Sequence, residues 1–273
     1  MAKSIYVVSE NLVKRNCRIE IFPDGSIGEI LVAAKPFFVP GGYETTKKSK
    51  LNLERSGDSG DRERARRRAQ KRIETLIRCN PLLDVFFTLT LKPDAVTETG
   101  IAISRTDYAA VNKKLQQWLG DRVRRRGLHY VAVYEYHNRV ESDGKRALHV
   151  HGIANHSALS LVDSGVRHRG KDKKLHNIYN VKDWKLGHTT AMYVYGSREA
   201  AIRYISKYVR KSEEAIGGRW YLHSQNLQEP RYVFCNIDFR EMEGREFFID
   251  AAKCSFKSIK GDNFDFCLAE DVV

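Results

Sequence analysis

The first element of the chain is marked by alternating apolar and polar residues. Residues 17–33 alternate on both sides of a Pro-Asp-Gly turn, which is the pattern of a β-hairpin with one buried face. The stretch 41–60 is rich in Gly, Ser, Thr and Lys without any period, as expected of a linker. The pattern therefore predicts a small accessory hairpin and a linker over residues 1–60.

Helical and strand-like periods then follow each other along residues 61–225. Apolar residues at steps of three and four predict an amphipathic helix over 108–126, with an inner face of Val111, Leu115, Trp118, Leu119 and Val123. A second helix is predicted over 197–214, with Ser197 as its N-cap. Runs of β-branched and aromatic residues predict strands at 85–93, 128–137, 147–155 and 187–195.

The order of these elements predicts the fold class. A strand, a helix, two strands, an irregular insert, a strand and a helix form an α+β layer rather than a doubly wound sheet. The insert contains GVRHRGKD, which nearly matches a phosphate-binding loop, but Asp172 stands where a hydroxyl residue is required. We therefore predict no nucleotide site there, and His168 and His176 are expected to be exposed or to face DNA. Residues 226–273 are expected to form a C-terminal β extension.

Composition and charge indicate a globular protein that binds a polyanion. Of the 273 residues, 42% are hydrophobic and 30% charged, and 47 Lys and Arg against 34 Asp and Glu give a net charge of +13. No apolar run approaches the roughly 20 residues that span a bilayer, and no signal-peptide core begins the chain. We expect no membrane partner and a bacterial cytoplasmic location. Five scattered cysteines favour reduced thiols over a disulfide framework or a zinc site.

The basic residues are concentrated in two helical stretches. Between residues 62 and 78 the sequence has eight Lys or Arg against two Glu. We predict that these cations bind phosphate, although a solvated charged face is the alternative. The candidate DNA-binding residues are Arg64, Arg66, Arg67, Arg68, Lys71, Arg72, Arg124, Arg125 and Arg126.

A His-Val-His triplet is the first candidate for chemistry. Successive side chains of a strand point to opposite faces, so His149 and His151 project from the same face. The preceding strand, expected to be antiparallel, offers Glu135 as a third metal ligand, with Glu141 and Asp143 as alternative oxygen ligands. The alternative is a pair of half-buried histidines in ordinary hydrogen bonds.

The second candidate is a Tyr-x-x-Lys unit that occurs twice in succession. On a helix Tyr204 and Tyr208 are four residues apart and share one face, and Lys207 and Lys211 each follow a tyrosine by three residues. A nearby cation favours the phenolate that attacks phosphorus. The alternative is an amphipathic helix whose tyrosines pack on the sheet while its lysines remain solvated.

Together these motifs resemble those of the HUH endonucleases, which are named for histidine, hydrophobic residue, histidine. FFTLTLKP at 86–93, HVHG at 149–152 and YISKYVRK at 204–211 correspond to the three ordered motifs of that superfamily. VAVYEYHN and YNVKDWKLG extend the resemblance toward rolling-circle replication-associated proteins of bacterial plasmids and phages. The resemblance covers about residues 62–225.

The resemblance implies a fold and an activity. The implied fold is an RRM-like or ferredoxin-like antiparallel sheet of about five strands with helices packed on it. Its central strands hold Mg²⁺ or Mn²⁺ through His149, His151 and Glu135, and Tyr204 and Tyr208 are the candidate nucleophiles. A tyrosine becomes joined to the 5′ phosphate of single-stranded DNA at an origin hairpin. The released 3′-OH primes the host polymerase, with a host helicase as a further partner.

Two other functions remain open from the sequence. A transposase or mobilisation relaxase of the same superfamily differs in the DNA that it recognises rather than in its metal or tyrosines. A non-catalytic, basic nucleic-acid-binding module is the rival from another class, and only a covalent protein–DNA product distinguishes it.

Overall fold

The protein is represented by a computed structural model that describes residues 12–40, 59–170, 172–212, 214–236, 247–249, 254–260 and 264–270. The chain divides into two compact units. Glu54–Leu227 forms the larger unit, and Met1–Leu53 combines with Gln228–Val273 in the other. The segments 1–60 and 226–273, considered separately in the sequence, thus contribute mainly to one unit.

Helices and strands alternate along the larger unit. Its helices are α1 (Ser59–Cys79), α2 (Tyr108–Arg126), α3 (Arg198–Lys211) and a short 3₁₀ turn at His156–Ala158. The smaller unit begins with the strands β1 (Leu12–Ile21) and β2 (Ile27–Pro40). The larger unit continues with β3 (Val85–Thr90), β4 (Tyr130–Val140), β5 (Arg146–Ala154), β6 (Leu161–Arg169), β7 (Leu175–Val181), β8 (Thr189–Tyr193) and β9 (Leu222–His223). The smaller unit ends with β10 (Arg231–Cys235), β11 (Phe247–Ile249), β12 (Cys254–Lys260) and β13 (Phe264–Glu270).

The larger unit is built on a seven-stranded sheet in the order β6-β7-β8-β3-β5-β4-β9. Every recorded strand pair in it is antiparallel, so the α+β class is confirmed. The expected number of about five strands was too low. The segment predicted to be an irregular insert forms β6 and β7, and its exposed residues lack the one-sided apolar pattern by which a strand is recognised.

The sheet is packed with helices on both faces. Val85, Phe87 and Leu89 of β3 point to the α2 side and join a core with Leu115. The intervening Phe86 points to the other side, where the apolar residues of α1 and α3 pack. This alternation separates two cores by a single layer of strands.

Helix α2 has the bounds that its apolar pattern predicts. Asp107 accepts hydrogen bonds from the amides of Ala109 and Ala110, and Gly127 ends the helix with a left-handed φ of 63°. Val111, Leu115 and Leu119 are buried, whereas Trp118 and Val123 are partly buried against the same core.

We expect Leu115→Ala to destabilise the larger unit strongly. Leu115 has no exposed surface, so the truncation loses apolar burial and leaves a cavity, at a cost of about 2–5 kcal/mol. Lys113→Ala on the exposed side of the same helix is the control and should change stability by less than about 0.5 kcal/mol. Urea denaturation followed by circular dichroism measures both, and equal midpoints for the two variants would contradict the packing of α2.

The smaller unit contains the predicted N-terminal hairpin, which is longer than predicted. Strands β1 and β2 extend over residues 12–40, and the turn closes with the amide of Gly25 bonded to the carbonyl of Phe22 at 2.9 Å. Instead of standing alone, the hairpin belongs to a six-stranded sheet in the order β10-β1-β2-β13-β12-β11. The described cysteines Cys17, Cys79 and Cys235 carry free thiols. Of the described helices, none has the length and apolar character to cross a bilayer.

Candidate functional site

The face of the sheet that packs α1 and α3 becomes polar along its central strands. Val131, Val133 and Ile153 belong to the core beneath the helices. Further along the same strands, Glu135 of β4 lies directly opposite His149 of β5. In the same sheet Thr88 of β3 lies opposite His151, and Thr90 lies opposite His149. Three neighbouring strands therefore bring hydroxyl, imidazole and carboxylate groups together on one face.

His151 is held by hydrogen bonds at both ring nitrogens. Its Nε2 lies 2.9 Å from Oε2 of Glu135, and its Nδ1 lies 3.1 Å from Oγ1 of Thr88. Burial lowers the pKa of His151 to about 4 against the opposing effect of Glu135, and burial also lowers the pKa of His149. Both imidazoles are therefore neutral near pH 7, which is the state that binds a metal ion.

The donor set fits a hard divalent cation in chemistry and, in part, in placement. Nitrogen and oxygen atoms at neighbouring corners of an octahedral Mg²⁺ site are about 3 Å apart, close to the 2.9 Å between Nε2 of His151 and Oε2 of Glu135. His149 lies against His137 instead, with ring centroids 4.9 Å apart. Accordingly, no three His, Cys, Asp or Glu side chains in the described ranges form a metal-binding group. A rotation of the His149 side chain is needed to complete the set.

Helix α3 places both tyrosines beside these histidines. The hydroxyl of Ser197 caps the helix by accepting from the amide of Ala200, as predicted. The Tyr208 ring stacks on the His151 ring, with centroids 3.9 Å apart and planes 7° from parallel. The Tyr208 hydroxyl donates to the Tyr204 hydroxyl at 2.9 Å, so the two phenols share one helical face.

The two phenols differ in exposure. Tyr208 is only 7% exposed, whereas Tyr204 is 39% exposed and leans on Phe86. Burial raises the pKa of the Tyr208 phenol, and its hydrogen bond to Tyr204 raises that pKa further. Tyr208 is therefore a hydrogen-bond donor in this arrangement, and Tyr204 is the phenol that solvent reaches.

The lysines of the doubled motif flank the buried phenol. The ammonium groups of Lys207 and Lys211 each lie 6.0 Å from the centre of the Tyr208 ring. Lys211 also pairs with Oε1 of Glu135 at 3.3 Å. Positive charge is thus placed next to both the phenols and the carboxylate, where it also attracts a phosphate group.

The alternative oxygen ligands have other partners. Glu141 forms an ion pair with Arg105 at 2.5 Å, and Asp143 accepts from the Thr106 hydroxyl at 2.6 Å. These contacts fasten the β4–β5 turn to the segment before α2. Glu135 is therefore the carboxylate that the structure brings to the histidines.

The predicted basic residues lie on two different faces. Helix α1 packs beside α3, on the same side of the sheet as the histidines and tyrosines, and carries Arg64, Arg66, Arg67, Arg68, Lys71 and Arg72. Some of this charge is neutralised locally, since Glu63 pairs with both Arg66 and Arg67. Arg124, Arg125 and Arg126 end helix α2 on the opposite side of the sheet, where Arg124 pairs with Asp121.

Two contributors to the site were not predicted as site residues. Thr88 bonds Nδ1 of His151 and so favours one orientation of that ring, and Phe86 supports the Tyr204 ring at 4.6 Å. Strand parity places residue 86 and residue 88 on the same face, so that much was readable from the sequence. The pairing of β3 with β5 was not.

Fold and site together define a class of protein: an antiparallel sheet with paired histidines next to a helix that bears two tyrosines. Residues 84–213 match the model of a family of replication-associated proteins of the ORF2 type. The matched stretch contains both histidines, both tyrosines and strands β3 to β8, so this part of the chain is of the replication-associated type. Searches of the curated proteins and of the solved structures gave no match.

Proposed function

We propose that this protein initiates rolling-circle replication of a phage or plasmid by nicking single-stranded DNA with a tyrosine. The observation that carries the proposal is the stacking of Tyr208 on His151, with Tyr204 bonded to Tyr208. It places two nucleophiles beside the N and O donors of a divalent-metal site. The match to the replication-associated family favours an initiator over a transposase or relaxase with the same chemistry.

His151 and Glu135 would hold Mg²⁺ or Mn²⁺, joined by His149. When bound, the ion polarises the scissile phosphate. Lys207 and Lys211 supply positive charge near the attacked group, and the cations of α1 hold the strand by its phosphates. The proposal thus assigns a role to every charged group that faces the tyrosines.

The covalent step exchanges one phosphoester for another. The tyrosine Oη forms a bond to phosphorus and the bond from phosphorus to the 3′ oxygen breaks. The phenol loses a proton and the departing 3′ oxygen gains one, so neither water nor a nucleoside triphosphate is consumed. A 5′-phosphotyrosine and a free 3′-OH primer result.

Tyr204 makes the first attack in this proposal. It is the more exposed phenol, and its oxygen accepts the hydrogen bond from Tyr208, which stabilises a developing phenolate. Tyr208 attacks in the later step, when the new junction is cut and the free 3′-OH closes the displaced circle.

The test is a covalent adduct with an oligonucleotide. Wild-type protein is incubated with Mn²⁺ and a labelled single strand that carries the hairpin origin of its own replicon. We expect a band that survives boiling in detergent and disappears with EDTA or with a strand of scrambled sequence. A non-catalytic module would bind the strand without this band, and its absence over all strands of the replicon would refute the proposal.

A further inference from the structure

Strands β6 and β7 form a two-stranded ribbon that extends past the rest of the sheet. Strand β6 is an edge strand and pairs with β7 alone. The recorded pairing of β7 with β8 is limited to Tyr179 opposite Ala191, whereas the pairing of β6 with β7 continues to Arg169 opposite Leu175. All residues over 165–169 and 172–175 are exposed. The outer part of the ribbon therefore meets solvent on both faces.

The tip of the ribbon is strongly basic. Residues 167–174 include five Lys or Arg and a single carboxylate, Asp172. Asp172 is engaged with His176, whose Nε2 lies 3.0 Å from both carboxylate oxygens. Among the described side chains, no carboxylate forms an ion pair with Arg169, Lys173 or Lys174. This charge is therefore available to an anionic partner.

One face of the ribbon carries residue types that recognise bases. Arg167 lies opposite Asn177, and Arg169 lies opposite Leu175, so these four side chains project from the same face. Asp163 holds two of them in place, since its carboxylate accepts from Arg167 at 3.2 Å and from Asn177 at 3.3 Å. Arginine pairs with guanine, asparagine pairs with adenine, and an apolar side chain contacts the thymine methyl group.

A contact on the other face anchors the ribbon. His176 stacks on Tyr195 with ring centroids 3.7 Å apart and planes 8° from parallel, and it also bonds Asp172. This contact fixes the ribbon from behind, so the face with Arg167 and Asn177 is presented in one orientation.

We propose that the β6–β7 ribbon binds duplex DNA in the major groove through Arg167, Arg169 and Asn177. A two-stranded antiparallel ribbon fits the major groove of B-DNA. Single-strand binding depends on aromatic stacking, and residues 161–178 include no Phe, Tyr or Trp. The inference rests on the proposed function, because duplex recognition beside a nicking site selects the origin.

The experiment compares sequence preference with strand cleavage. Wild-type protein is used to select from a library of duplexes about three helical turns long, randomised over the central turn. We expect an enriched sequence, and we expect Arg167→Ala with Arg169→Ala to weaken binding to it by about tenfold or more at fixed salt. The metal-dependent adduct with an isolated single strand should be unchanged.

Two matched variants separate base reading from simple charge. Arg167→Lys with Arg169→Lys keeps the charge but loses bidentate bonding, so it should bind random duplexes normally and lose the preference. Lys14→Ala with Lys113→Ala removes the same charge from exposed positions elsewhere and should keep the preference.

The possible failures are distinguishable. No enriched sequence, or an unchanged preference in the Arg-to-Ala variant, refutes the ribbon proposal even if the adduct forms. Loss of the single-strand adduct in that variant refutes it too. A wild type that selects a duplex sequence but forms no adduct refutes the nicking function and supports the ribbon as a DNA-reading element.

Discussion

Replacing both Tyr204 and Tyr208 with phenylalanine is expected to abolish the covalent protein–DNA adduct. Phenylalanine keeps the packing of α3 but removes both hydroxyls, which are the nucleophiles placed beside His151. Adduct yield is measured on a denaturing gel with a labelled single strand and Mn²⁺. An adduct that persists in the double variant would assign the nucleophile to another residue.

The single variants test the order of the two phenols. Tyr204→Phe should remove nearly all of the first adduct, because it deletes the exposed hydroxyl. Tyr208→Phe should slow the first adduct by about tenfold, the value of one lost hydrogen bond, and should block the later joining step. Tyr193→Phe is the control, since Tyr193 is 41% exposed, close to Tyr204, and lies on the edge side of β3. Equal and complete loss of the first adduct in both site variants would contradict the assigned order.

The second large effect is expected from His149→Ala with His151→Ala. The change removes both imidazole donors, so metal-dependent cleavage should fall by about a thousandfold, corresponding to several kcal/mol of transition-state stabilisation. Binding of a labelled single strand in EDTA should stay within about twofold of wild type, because the cations of α1 are untouched. Cleavage is followed as a function of Mn²⁺ concentration, and binding by fluorescence anisotropy.

Controls are needed because His151 is buried beneath Tyr208. His151→Gln keeps a polar side chain of similar volume and should also lose cleavage, whereas His168→Ala on the exposed ribbon should cleave normally. A double variant with lost cleavage and a collapsed circular dichroism spectrum, together with an active His151→Gln, would make the histidines structural. Cleavage retained in a folded double variant would remove them from the metal site.

The elements that sequence predicted best are those whose burial is one-sided. Helix α2 was predicted to the residue because its apolar stripe, Asp107 and Gly127 all agree on the same ends. The antiparallel pairing of β4 with β5 followed from the short Asp-Gly turn, and it placed Glu135 opposite His149. Local pattern and tertiary structure agree in these elements, so local reasoning is sufficient.

The parts that sequence missed depend on contacts distant along the chain or on exposure of both faces. Strand β6 has no buried side, so the periodicity that reveals a strand is absent. The stacking of Tyr208 on His151 joins residues 57 positions apart, as their numbers show. It requires both the packing of α3 on β5 and the rotamers of two rings, neither of which a helical or strand period encodes.

The anchoring of α3 has a consequence for how the two DNA ends exchange. The helix is fixed to the core by Ile205 and Val209, and its two phenol rings are 5.5 Å apart, on the order of one or two nucleotide spacings along a strand. On the proposed chemistry, the enzyme has a fixed pair of hydroxyls and no moving arm. The strands must therefore slide past a stationary helix between the first cut and the last, and the traffic of DNA sets the pace of circle closure.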